Sequence, residues 1–223
     1  MKPKLHFYDL LILLPVALPF VYLAFAYTRL PAIVPVHFGI DGKADRYGNK
    51  SSLWEVAAIL AGISILLFIL IRFIPKIDPK KSLRNPPAVY NKISILIVLL
   101  FSVINCFLVY SAQKGALNIG NVFPSIIGLF LAVMGNLMNN IKPNYFVGIR
   151  TPWTLENEMT WRKTHQLAGK IWVAGGLAIA VISLLVPVRV AFYVLIAGTV
   201  VLAVIPVVYS YIFFKSLNKK TNH

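Results

Sequence analysis

The side chains able to do chemistry in this 223-residue chain collect in two short stretches. One is Gly148-Ile149-Arg150-Thr151-Pro152-Trp153-Thr154-Leu155, continuing through Trp161-Arg162-Lys163-Thr164-His165 to Gly169. The other lies between Leu30 and Lys50 and holds His37, Asp41, Asp45, Arg46 and Tyr47. Imidazole beside carboxylate is acid–base chemistry in principle, and Glu156, Glu158 and His165 in the first stretch offer it. His37, Asp41 and Asp45 also offer a nitrogen and two oxygen donors of the kind zinc or manganese accepts, but no fourth ligand stands at a matching spacing. Neither stretch adds a nucleophile or a phosphate-binding loop. The expectation is a protein without catalysis, cofactor or metal, whose second stretch is a hydrogen-bonded turn network with an Asp–Arg pair.

The elements that position these stretches are apolar. The chain is 58% hydrophobic and 13% charged, with a mean hydropathy of +0.76. Soluble domains carry about 25% charged residues, so the balance is that of a membrane protein. Six stretches are long and apolar enough to span a bilayer: roughly 7–28, 53–74, 92–112, 122–140, 167–187 and 190–214. The predicted class is all-α with six transmembrane helices. Lys2 and Lys4 ahead of the first stretch, with Ala24-Phe25-Ala26, imitate a secretory signal. Asp9, Pro15, Pro19 and the length of the run favour an uncleaved anchor instead. With both termini cytoplasmic, 16 of the 22 Lys and Arg residues fall on inner segments, as the positive-inside rule requires. That assigns the net charge of +15 to orientation and anionic lipid rather than to nucleic acid. The lone Cys106 excludes an intrachain disulfide.

This topology divides the chain at about residue 91. Residues 1–91 form a two-helix unit with an outer loop, 29–52; residues 92–223 form a four-helix unit with an inner loop, 142–166. In the outer loop, prolines at 31 and 35 impose extended backbone, and Asp41-Gly42 signals the turn of a small β-hairpin. Ser51 or Ser52 can cap the next helix. In the inner loop, Thr151 with Pro152, or Thr154, can open a helix. Trp161, Thr164, His165, Ala168 and Trp172 then share one helical face, in a segment expected to lie along the membrane surface before turning inward. Two readings stay open: an amphipathic connector with aromatic anchors, or a partner-binding surface. The spans hold almost no ionisable groups, which weighs against an ion-coupled transporter. Gly128 with Ala132, and Gly176 with Ala180, allow close helix approach. Residues 75–91 read as a solvated basic connection.

The motif Gly148-x-Arg150-Thr151-Pro152-Trp153-Thr154 … Trp161-x-x-Thr164-His165 … Gly169 resembles the SdpI family of bacterial toxin-immunity membrane proteins. Leu30-Pro31 … Val34-Pro35-x-His37-Phe38 … Gly42 … Asp45 … Tyr47-Gly48-x-Lys50 is similar to a small domain of unknown function often found at the front of such proteins. The resemblance implies residence in the bacterial cytoplasmic membrane and protection against a secreted peptide toxin. It also implies, for the best-understood type, recruitment of a repressor to the membrane. On that basis His37, Asp41, Asp45, Arg46 and Tyr47 are candidates for toxin recognition. Arg150, Thr151, Pro152, Trp153, Thr154, Trp161, Arg162, Thr164 and His165 are candidates for binding a cytoplasmic partner. A small-molecule or peptide transporter and a membrane-embedded metal enzyme are the alternatives.

Overall fold

The computed structural model describes residues 10–79, 87–114 and 120–221. Expectations placed on residues 1–9, on 80–86 and on His223 lie outside them. The fold is mostly helical. Helix α1 (Leu13–Ala26) ends in a single 3-10 turn, followed by strands β1 (Ile33–Phe38) and β2 (Ala44–Asn49). Helices α2 (Ser52–Ile77), α3 (Pro87–Lys114) and α4 (Val122–Met138) come next, then a five-residue helix α5 (Pro152–Glu156), α6 (Glu158–Leu185) and α7 (Val188–Thr221). Four helices are long and apolar enough to cross a membrane, and α1 and α4 are shorter apolar helices. Large hydrophobic side chains are exposed along all of them, for example Leu14, Leu66, Leu129, Leu185 and Ile205. A water-soluble protein does not leave a continuous apolar surface of that kind uncovered.

Burial is concentrated at the two ends of the bundle and in one tight helix pair. At one end, Leu23, Ala26 and Leu30 pack with Val34 of the hairpin, Leu53 and Ala57 of α2, and Val109 and Ala112 of α3. At the other, Ile71 and Ile74 of α2 meet Tyr90 and Ile93 of α3, Leu137 and Met138 of α4, Ile141 and Trp161. Between them α4 and α6 touch backbone to backbone. A Cβ on Gly128 would lie 2.7 Å from the Ala180 nitrogen, and one on Gly176 2.5 Å from the Ala132 nitrogen, so the two small-residue pairs read from the sequence meet each other. Ser125 on α4 adds a hydroxyl hydrogen bond to the Ala180 carbonyl (2.9 Å).

The hairpin forms where Asp41-Gly42 places it. Gly42 has φ +73, the Gly39 N–H donates to the Lys43 carbonyl, and the Asp41 carboxylate accepts from the Lys43 N–H. The strands are antiparallel, with irregular register around His37. Neither serine caps α2 with its side chain. Asn49 organises that corner, its Oδ1 accepting from the Ser51 N–H and its carbonyl from the Ser52 hydroxyl.

Two expectations are corrected. The connector after Pro152 is not one surface helix turning in at 167. Asn157 interrupts it, ending α5, and its Oδ1 accepts from the Thr160 N–H to open α6 at Glu158. The connection 75–91 is also not wholly solvated, because α2 runs on to Ile77 and Asp78 is buried behind it.

Candidate functional site

The inner motif begins with a loop folded around one side chain. Asn144 is fully buried; its amide donates to the Lys142 and Val147 carbonyls, while its Oδ1 accepts from the Phe146 and Val147 N–H groups. The neighbouring peptide is held from two sides. The Tyr145 N–H donates to the Asp78 carboxylate (3.0 Å), and the Tyr145 carbonyl accepts from the Arg150 guanidinium. Asp78 and Asn144 are the site residues that sequence reasoning missed. Pro143-Asn144 is a turn signal that could have found the second; nothing local singles out Asp78.

Gly148 follows, with φ +106. Its missing side chain makes room for an imidazole: a Cβ there would stand 2.4 Å from His165 Nε2. The Ile149 N–H donates to that nitrogen (3.1 Å), and His165 Nδ1 lies 2.9 Å from the Trp161 carbonyl. An acceptor Nε2 and a donor Nδ1 together define a neutral ring of fixed tautomer. Trp161 stacks on it with centroids 4.1 Å apart and donates its indole N–H to the Ile141 carbonyl (2.8 Å). These two rings lock the chain before α5 onto the first turns of α6.

Thr151 and Thr154 then open α5 as a capping box, and the Thr154 hydroxyl also reaches the Ile149 carbonyl (2.9 Å). Pro152 occupies the first turn, as its lack of an N–H favours. Trp153 points to α7, where its indole N–H donates to the Ser210 hydroxyl and its ring meets Tyr211 edge-on.

The structure therefore sorts the inner candidates. Trp161, Thr164 and His165 are 2%, 0% and 1% exposed. The face they share points into the bundle and not toward a docking partner. Thr151 and Thr154 are buried as well, Trp153 is half-buried, and Arg150, Pro152 and Arg162 are exposed. Beneath Gly148–Thr151 lies a cavity of about 430 Å³ walled by Met134 and Met138 of α4, Trp172 of α6, and Ala203 and Val207 of α7. What the motif builds is a hydrogen-bonded platform at one end of the bundle with an arginine on its rim.

At the opposite end, all five outer candidates sit on the hairpin. His37 Nδ1 and Asp45 Oδ1 are 2.6 Å apart with side chains 59% and 54% exposed. The partner of Asp45 is thus His37 and not an arginine. Asp41 is engaged with its own turn; Arg46 and Tyr47 are exposed on β2. Among the described residues no three His, Cys, Asp or Glu side chains come together in a metal-holding group.

Residues 140–210 match the SdpI/YfhL protein family, and residues 14–61 match a domain of unknown function (DUF1648). Over 207 residues the chain is 26% identical to a protein of Bacillus subtilis (strain 168) named immunity protein SdpI, covering 91% of this chain and 94% of that one. It is also 35% identical over 83 residues to an uncharacterized protein of Archaeoglobus fulgidus, covering 36% of this chain and 45% of the other. No solved structure matches.

Proposed function

Because the chain belongs to the SdpI/YfhL family and carries the DUF1648 region at its front, we propose that it is an immunity protein. It protects its cell from a secreted peptide toxin and relays the toxin's presence inward by recruiting a repressor to the membrane. It crosses the cytoplasmic membrane six times with both ends inside, and it works by binding rather than by catalysis. The observation that carries this reading is the alignment with the Bacillus immunity protein over nearly the full length of both chains. The fold supports the division of labour, since the hairpin and the Gly148–His165 platform occupy opposite ends of one bundle.

The hairpin with His37, Asp45, Arg46 and Tyr47 meets the toxin. The platform's exposed rim, Arg150, Pro152 and Arg162, meets the repressor, while Trp161, Thr164 and His165 hold that rim in place. Deleting the gene should make the cell sensitive to the toxin, and Tyr47→Ala should restore sensitivity with the protein still in the membrane. Equal protection by the variant would remove the hairpin from recognition. Arg150→Ala should abolish repressor recruitment, read as loss of membrane-localised repressor, while protection persists. Loss of both together would sink the separation of the two faces.

A further inference from the structure

The hairpin is a roof over a second cavity. Its near end is fixed by Val34 in the outer cluster. Its tip is fixed by Gly42, which packs against Gly120 and Val188: a Cβ on Gly42 would lie 2.7 Å from Val188 Cγ1, and one on Gly120 2.5 Å from the same atom. Between these two supports lies a half-enclosed space of about 230 Å³. Phe107, Phe123 and Phe192 supply aromatic walls, the last two stacked at 6.3 Å, and Phe38 and His37 belong to the roof. Ser111 on α3 also lines it, and its buried hydroxyl has no hydrogen-bond partner among the described residues.

A buried hydroxyl left unpaired has lost its water without gaining a partner, which destabilises the empty site. Apolar cavities of about 150 Å³ are known to take up a benzene-sized ring. This cavity is larger by the size of a second fused ring or a polar substituent. We propose that it is the anchoring pocket for a tryptophan or tyrosine side chain of the peptide toxin, with the aromatic body between the phenylalanines and its N–H or O–H on the Ser111 hydroxyl. The inference rests on the immunity reading above and names the part of the peptide that the outer end takes hold of. A lipid acyl chain suits the site less well, because hydrocarbon leaves the hydroxyl as unpaired as it is now.

Purified full-length protein is titrated calorimetrically with N-acetyl-tryptophanamide and with N-acetyl-leucinamide. The tryptophan amide should bind saturably and roughly tenfold more tightly, as a site with a hydrogen-bonding handle discriminates. Ser111→Ala should erase most of that preference, and Leu108→Trp, which fills the space from its own wall, should abolish binding. Equal affinity for the two amides, an unchanged preference in Ser111→Ala, or binding that survives Leu108→Trp would overturn the pocket. In cells, the Leu108→Trp protein should reach the membrane and fail to protect, and Ser111→Ala should protect less well. If both protect like wild type while amide binding is lost in vitro, the pocket is not the toxin's anchor and the immunity reading stands. If wild type itself does not protect, the immunity reading fails and the peptide is excluded as occupant, whatever the amides do.

Discussion

Gly148 and His165 are a pair in which each residue makes sense only through the other. The glycine tolerates φ +106 and leaves the space that the imidazole fills; the imidazole accepts the one N–H that this backbone turns toward it. Gly148→Ala should therefore lower the thermal midpoint of the detergent-purified protein by the equivalent of at least about 1–2 kcal/mol from the left-handed backbone alone, before the steric contact is counted. His165→Phe keeps an aromatic ring against Trp161 but strands the Ile149 N–H, an expected loss of about 1–3 kcal/mol. An unchanged midpoint in both variants would show that the ring does not hold the loop. Neither dependence was legible in the sequence. The spacing of Trp161, Thr164 and His165 correctly put them on one face of a helix, but periodicity does not say which way a face points. In a membrane helix the lipid side and the core side are both apolar, so a polar and aromatic stripe reads equally well as interfacial anchoring.

Among the elements, the parts that were legible are those specified by a few adjacent residues. Asp41-Gly42 gave away the hairpin, and Thr151-Pro152 gave away the start of α5. Gly128, Ala132, Gly176 and Ala180 announced a close helix contact without naming the partners, which turn out to be each other. Asn157 is not legible as a boundary, because an asparagine inside an otherwise helical pattern is weak evidence until its side chain is seen accepting from the Thr160 N–H. The α4–α6 contact makes a prediction that a general helix-stability argument does not. Gly176→Val should force the two backbones apart and reduce the folded fraction, because its branches have nowhere to go beside Ala132. Gly62→Ala on α2, where a Cβ meets nothing within 4 Å, should be neutral or gain up to about 1 kcal/mol from helix propensity. Both are read from resistance to thermal unfolding. Equal effects at the two positions would show that the close approach is not what holds α4 to α6.

For the whole molecule, the division into an outer hairpin end and an inner platform end can be checked without any partner. In a Cys106→Ser background, Lys43→Cys on the hairpin turn should react with a membrane-impermeant maleimide in intact cells. Lys163→Cys on α6 should react only after permeabilisation. The reverse pattern would invert the orientation derived from the lysines and arginines. Helix lengths then set a further condition on where this bundle is comfortable. At 1.5 Å per residue, the 26 residues of α2 span about 39 Å, whereas the 17 residues of α4 span only about 25 Å. The exposed side of α4, with Val122, Leu129 and Val133, is correspondingly a short apolar band against a hydrocarbon core of about 30 Å. Long neighbours accommodate a thin membrane by tilting, but a short helix fixed backbone to backbone against α6 can only draw the bilayer down to its own height. The protein should thus thin the lipid on one flank and be most stable in short-chain bilayers, with unfolding temperatures that fall as acyl chains lengthen at constant headgroup.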